Sequence, residues 1–200
     1  MRAPMLALGA LLFASAAQAG PWEDFIGEGV TALRAGKFAE AEKNFAEALE
    51  EAETFGTNDM RIGATLDYLA QVYVEQKEFA KAEKAVTKSI EIWDKGLTPD
   101  HPAYGFLAER IAVLGDIHSM QEKYVDAERL LRRALNMLFS IYGPGHPEMA
   151  APLDSYAELL RKTGREAEAA QMERRANSLR PMFTAPAQDP DPPEEPPLGP

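Results

Sequence analysis

The stretch Gly36-Lys37-Phe38-Ala39-Glu40-Ala41-Glu42-Lys43-Asn44-Phe45-Ala46-Glu47-Ala48-Leu49 returns twice more in recognisable form. Lys77-Glu78-Phe79-Ala80-Lys81-Ala82-Glu83-Lys84-Ala85-Val86-Thr87-Lys88-Ser89-Ile90 is the second copy. Glu122-Lys123-Tyr124-Val125-Asp126-Ala127-Glu128-Arg129-Leu130-Leu131-Arg132-Arg133-Ala134-Leu135 is the third, and a worn fourth runs from Gly164 through Ala169 to Ala176. Aligned on Ala41, Ala82, Ala127 and Ala169, the copies stand 41, 45 and 42 residues apart. Recurrence at such a period marks a stacked array, in which each unit buries its apolar face only against its neighbours.

The residue types set the shape of one unit. An aromatic (Phe38, Phe79, Tyr124), a small residue three positions on, and a second small residue seven further (Ala48, Ser89, Ala134) share one helical face. Small residues let two helix axes approach, while the aromatic fills the turn. Upstream of each phrase lies another amphipathic stretch with its own small position, at Gly29, Ala70, Gly115 and Ala157. Each unit therefore reads as helix, tight turn, helix. No alternating pattern of strand type occurs, so the chain is expected to be all-α. Gly56, Gly96 and Gly143 follow the second helices, where a left-handed cap belongs. Pro102 and Pro147 stand where the next helices begin, since a first-turn proline gives up no hydrogen bond.

This grammar of small and aromatic positions resembles the tetratricopeptide repeat. The long period, with the linkers Leu97-Thr98-Pro99-Asp100-His101-Pro102 and Gly143-Pro144-Gly145-His146-Pro147, is similar to the kinesin light chain variety. The likeness covers roughly Trp22 to Arg180 and implies a right-handed superhelical stack of four hairpins, at about 22–56, 59–96, 101–143 and 146–180. The first linker, Phe55 to Asp59, lacks the His-Pro pair. The fourth repeat carries Glu166 and Glu173 where aromatics would sit, as a solvent-facing cap requires. Nothing resembles the light chain's coiled coil, so no motor or cargo role is carried over. A HEAT-type array has a similar period, but its hairpins do not need this grammar.

The two ends read differently. Residues 1–19 run from Arg2 through an apolar stretch (Leu6, Leu8, Leu11, Leu12, Phe13) to Ala17-Gln18-Ala19, the order of a cleavable secretory signal. The stretch is short for a bilayer span, so cleavage after Ala19 and a periplasmic or secreted mature chain without an integral anchor are expected. There is no cysteine, so packing alone must hold the exported chain together. Residues 181–200 carry eight prolines and the acids Asp189, Asp191, Glu194 and Glu195. A disordered acidic tail is expected there, and Pro193-Glu194-Glu195-Pro196 fits a P-x-x-P spacing. The formal charge of −11, from which loss of Arg2 removes one further positive unit, disfavours nucleic acid and anionic lipid surfaces.

Catalytic and metal chemistry find no foothold. Gly-x-Ser-x-Gly, a Gly-rich phosphate loop and His-Glu-x-x-His are all missing. His101 and His146 precede prolines at equivalent places, which points to hydrogen bonding at a helix start rather than ligation. His118 stands where the second repeat has Tyr73 and reads as a packed, hydrogen-bonded residue. Runs such as Glu40, Glu42, Lys43 and Glu47 read as solvated helix surface. No enzyme, cofactor or metal is expected.

Binding remains. In the resembling arrays the first helix of each hairpin lines a concave groove, which implies Trp22, Ile26, Val30 and Leu33 here, then Asp67, Gln71 and Glu75. Asp116 and Met120 follow in the third repeat, and Asp154 and Glu158 in the fourth. Co-chaperone repeats of this family grip a partner's terminal carboxylate with Lys and Asn. The matching pairs here are Ile26/Val30, Asp67/Gln71, Ala112/Asp116 and Asp154/Glu158, whose carboxylates would repel it. Trp22, Ile26, Val30 and Leu33 form a stripe that either packs against the second repeat or offers a docking or self-association surface, which leaves room for a homodimer. In the docking case Trp22→Ala and Val30→Glu would abolish capture without altering helicity or melting. The acidic centre favours a basic or neutral partner segment. The expected function is an exported scaffold that joins proteins in a bacterial cell envelope. A chaperone-like holder of unfolded exported chains, and a non-catalytic subunit of an envelope enzyme or secretion complex, are the alternatives.

Overall fold

In the computed structural model, which describes residues 20–98, 101 and 104–180, the repeated phrases fall in four consecutive hairpins. α1 (Pro21–Arg34) pairs with α2 (Phe38–Glu53), α3 (Met60–Glu75) with α4 (Phe79–Gly96), and α5 (Tyr104–Met120) with α6 (Tyr124–Tyr142). A 3-10 turn, Pro147–Met149, leads into α7 (Ala150–Lys162), which pairs with α8 (Glu166–Leu179). The leader over 1–19, the tail over 181–200 and Pro102 lie outside the described residues.

The small positions act as the sequence implies. Ala41, Ala82, Ala127 and Ala169 are fully buried where the two helices of each hairpin cross. A Cβ added to Gly29 would run into the Phe45 ring, and one added to Gly115 would sit 2.9 Å from Leu131 Cγ. Close crossing brings large side chains together behind it. Phe45, Ile62 and Val86 fill the N-terminal core, and Trp93, Ile111, Leu131 and Leu160 the middle. Leu138, Met149, Leu153 and Leu179 close the C-terminal end. Each such side chain contributes about 1.5–3 kcal/mol by leaving water.

All four hairpins close on one turn geometry. Gly36, Lys77, Glu122 and Gly164 hold the same place with φ of 72, 62, 63 and 77°. The next residue donates back across the turn each time, from Lys37 to Ala32, Glu78 to Tyr73, Lys123 to His118 and Arg165 to Leu160, at 2.7–2.9 Å. This pairing satisfies the orphan carbonyls of the first helix. Lys77 and Glu122 adopt the left-handed region without being glycine, which carries backbone strain. Gly56 and Gly143 also have positive φ, of 122 and 84°. Gly96 does not: it is the last residue of α4, and the chain leaves through Leu97 in extended conformation (φ −117, ψ 138). The expected cap there is replaced by extension because Leu97 turns inward and is buried.

Three glutamates that the sequence reading assigns to, or leaves on, solvated surface instead stitch one repeat to the next. Glu42, Glu83 and Glu128 each follow the aligned alanine. Gln76 Nε2 donates to Glu42 at 3.0 Å, and Gln121 Nε2 repeats the contact on Glu83 at 2.9 Å. Lys123 Nζ also donates to Glu83 at 2.9 Å, while Tyr156 Oη and Arg165 Nη1 donate to Glu128 at 2.8 and 2.9 Å. The Lys123 hydrogen bond holds the Glu83 carboxyl below its ordinary range, and Arg165 does the same for Glu128. Stacking is thus specified by hydrogen bonds as well as by apolar area.

Candidate partner-binding groove

Side-chain bonds fix the odd-numbered helices to one another as a continuous wall. Trp22 Nε1 on α1 donates to Thr65 Oγ1 on α3 at 2.9 Å. Arg110 Nε on α5 donates to Asp67 Oδ2 on α3 at 2.7 Å. Between α5 and α7, Ser155 Oγ donates to Asp116 at 2.9 Å and Lys162 Nζ to Ser119 Oγ at 3.1 Å. The positions implied for a groove lie on these four helices, and their surroundings divide them.

Within the apolar stripe on α1, Trp22 takes the packing alternative. Trp22 is only 6% exposed, with its one donor used on Thr65. Ile26, Val30 and Leu33 are half-buried against the N-terminal core. The expectation that Trp22→Ala would leave melting unchanged does not survive this burial, because the indole is a structural member of the first junction.

Asp67 also leaves the accessible surface. It is 3% exposed, accepts from Ser89 Oγ at 2.6 Å, and faces the Arg110 guanidinium, itself 4% exposed. Burial pushes its carboxyl up, while Arg110 and Ser89 pull it down. Arg110 in turn holds Glu109 at 3.1 Å and lies over the Phe106 ring. A docked segment cannot reach this carboxylate without opening the second junction.

What stays on the wall is polar and lies toward α5 and α7. Gln71 is half-buried and Glu75 exposed on α3, with Met120 half-buried at the equivalent end of α5. Asp116 is pushed up to about 7, chiefly by desolvation, against the opposing hydrogen bond from Ser155; Glu158 raises it further and Lys162 opposes. Glu158 is exposed and pairs with Lys162 at 3.4 Å. Asp154 is half-buried and paired with Arg180. Glu75 and Glu158 are thus the exposed carboxylates of this part of the wall, while Asp116 lies desolvated beside Glu158 and Lys162. Such a wall can hold a basic or neutral chain.

His118 and His146 serve the fold. His118 Nε2 lies 3.3 Å from Glu83 Oε1, with the ring half-buried beneath the junction. His146 stacks on Tyr142 with ring centroids 4.2 Å apart and its Nδ1 accepts from the Glu148 amide at 3.4 Å, at the start of the 3-10 turn. Among the described residues no group of three or more His, Cys, Asp or Glu could hold a metal ion, and no helix is long and apolar enough to cross a membrane.

The sequence reading missed the Asp67–Arg110 pair and the glutamate stitches. The stitches carried a signal, a glutamate after the aligned alanine in three copies with Gln76 and Gln121 at matching places. Arg110 carried none, since its counterpart in the second repeat is Thr65.

The model of the tetratricopeptide repeat matches residues 27–95, 65–138 and 107–181 of the chain. No curated protein matches. Among solved structures, BtubC (BKLC) from P. vanneervenii is similar with a TM-score of 0.68 at 20% identity, over 80% of this chain and 63% of that one. A putative kinesin light chain from Podospora anserina with nearly identical TPR-like repeats has a TM-score of 0.66 at 16% identity, over 84% of this chain and 79% of that one. The MamA protein is similar at a TM-score of 0.55 and 16% identity, over 82% and 75%. The chain thus spans less than two thirds of the length of BtubC. These likenesses show the fold, an all-α right-handed superhelical stack of helix-turn-helix repeats of the kinesin light chain type.

Proposed function

Because the chain belongs to the tetratricopeptide repeat family, whose fold is in general a non-catalytic scaffold for protein partners, we propose that it is an exported scaffold of the bacterial cell envelope, in which the wall of α3, α5 and α7 holds a basic or neutral segment of one partner. The observation that carries this reading is the pair of exposed carboxylates, Glu75 and Glu158, on helices tied side by side. A rigid wall binds an extended segment with little ordering cost of its own. The order of residues 1–19 supports export. The charge of the pair supports discrimination against acidic segments, since like charges brought together across an interface repel.

Affinity purification of the tagged mature chain from its native envelope, read by mass spectrometry, tests the reading. One partner recovered in stoichiometric amount, and released as salt screens the exposed charges, is the expected result. Recovery of many unrelated unfolded chains would replace the scaffold with a holder of clients.

A further inference from the structure

Two junctions of the inner wall each contain an aspartate, and they treat it differently. Between α3 and α5, Asp67 has a buried guanidinium of its own, Arg110 Nε at 2.7 Å, and a second bond from Ser89. Between α5 and α7, the bond to Asp116 comes from a neutral hydroxyl, Ser155 Oγ at 2.9 Å. The charged groups that act on Asp116 are Glu158 and Lys162, both from α7. Lys162 is already engaged: its Nζ lies 3.4 Å from Glu158 and donates to Ser119 Oγ at 3.1 Å. This interface therefore sets two carboxyls against one ammonium. Its charges balance when Asp116 carries a proton, and one negative charge is left uncompensated when it does not.

The contact with Ser155 suits both states, because a hydroxyl can donate to a carboxylate or accept from a carboxyl proton. What changes is the charge. A carboxylate drawn out of water as α7 closes on α5 is disfavoured by desolvation and by the like charge of Glu158. Those two causes push Asp116 up to about 7, against Ser155 and Lys162. The other polar tie of this hairpin behaves differently. Glu128 accepts from Tyr156 and Arg165, and the Arg165 bond holds its carboxyl below the ordinary range, so that tie stays ionised through neutral pH. The fourth hairpin packs against the third alone and can loosen without the rest of the stack.

We propose that the α5–α7 junction is a proton-controlled clasp: the fourth hairpin, α7 with α8, stays docked while Asp116 holds its proton and loosens locally when that proton is lost. The buried contacts of Leu153 and Leu160 are present in both states, so the clasp shifts the docking equilibrium and does not melt the hairpin. Glu158 travels with α7, so the clasp also gates that side of the proposed wall, although it does not itself rest on a partner.

Amide hydrogen exchange on the full chain, corrected for the intrinsic pH dependence of exchange, tests the clasp. Protection over α7 and α8 should fall relative to α1 and α2 by about tenfold per pH unit from about pH 5 to about pH 7, as linkage to one proton requires, and then level off. The selective fall should vanish in Asp116→Asn. The side-chain carboxyl resonance of Asp116 in the unmodified chain should titrate near pH 7, which reads the clasp without any substitution. Three results overturn the proposal: protection over α7 and α8 that does not fall relative to α1 and α2, a selective fall that persists in Asp116→Asn, or an Asp116 resonance that titrates in the ordinary carboxylate range.

Discussion

The two ends of the inner wall use the same register positions to opposite effect. On α1 Trp22 is drawn into the core at the junction with α3, and Ile26, Val30 and Leu33 lie half-buried against that core. On α5 and α7 the row of Val30 holds Asp116 and Glu158, of which Glu158 is exposed and Asp116 half-buried. Apolar groups at helical spacing are taken up by whatever neighbour is close, because each buried methylene gains about 0.8 kcal/mol. Carboxylates remain outside unless a partner offsets their desolvation. Asp67 shows the exception: it is buried because Arg110 and Ser89 are buried with it.

The border between the two halves should give the largest effect. Arg110→Ala leaves the Asp67 carboxylate uncompensated in the core, and urea melts should show a loss of roughly 3–5 kcal/mol. Asp67→Leu combined with Arg110→Met should recover most of that loss. A small loss from Arg110→Ala alone would mean that the pair is wetter than its burial implies.

Trp22→Ala tests the closed half. It removes a buried indole and its bond to Thr65, so a loss of roughly 3–5 kcal/mol in thermal or chemical unfolding is expected, at or just below the Arg110 effect. An unchanged midpoint would return Trp22 to the groove.

The open half is tested by pH. With its folded pKa raised to about 7, the Asp116 carboxyl keeps its proton in the folded state after the unfolded chain has lost it. Its contribution to stability is therefore fully present below the ordinary carboxylate range and is lost as pH rises to 7. Asp116→Asn keeps an acceptor for Ser155 and removes the ionisation, so it should stabilise the chain by roughly 2 kcal/mol at pH 8 and by little at pH 4. Equal effects at the two pH values would mean that the carboxyl is solvated.

The hairpin turns are alike in both halves and give the smallest expected change. Lys77→Gly and Glu122→Gly relieve a left-handed backbone at non-glycine residues and should each raise the unfolding midpoint, by about 0.5–1 kcal/mol. A loss in either would show that its side chain holds more than the turn does.

Much of the fold was legible because it rests on contacts local in sequence. The aromatic, the small residue three on and the small residue in the preceding helix describe one hairpin, and a 41–45 residue period places the hairpins in a row. Gly96 was misread because the burial of Leu97 decides that helix end, and one local residue cannot announce it. The wall was legible in register and illegible in access. Whether Asp67 faces water depends on Arg110, 43 residues away in a position with no acidic or basic counterpart in the preceding repeat. Trp22 looked like an anchor for a partner because nothing in its own helix reveals that Thr65 waits across the junction to accept its proton.

The central claim is that the acidic end of the wall, and not the apolar end, holds the partner. Calorimetric titration of the chain with the partner recovered by affinity purification, beside Glu75→Lys/Glu158→Lys and Val30→Glu variants checked for native helicity, tests it most directly. The account predicts that the double charge reversal weakens binding about tenfold or more, near 1.4 kcal/mol, and that the wild-type affinity falls with salt while Val30→Glu binds nearly as the wild type does. Unchanged binding by Glu75→Lys/Glu158→Lys, with binding lost in a folded Val30→Glu, would contradict it.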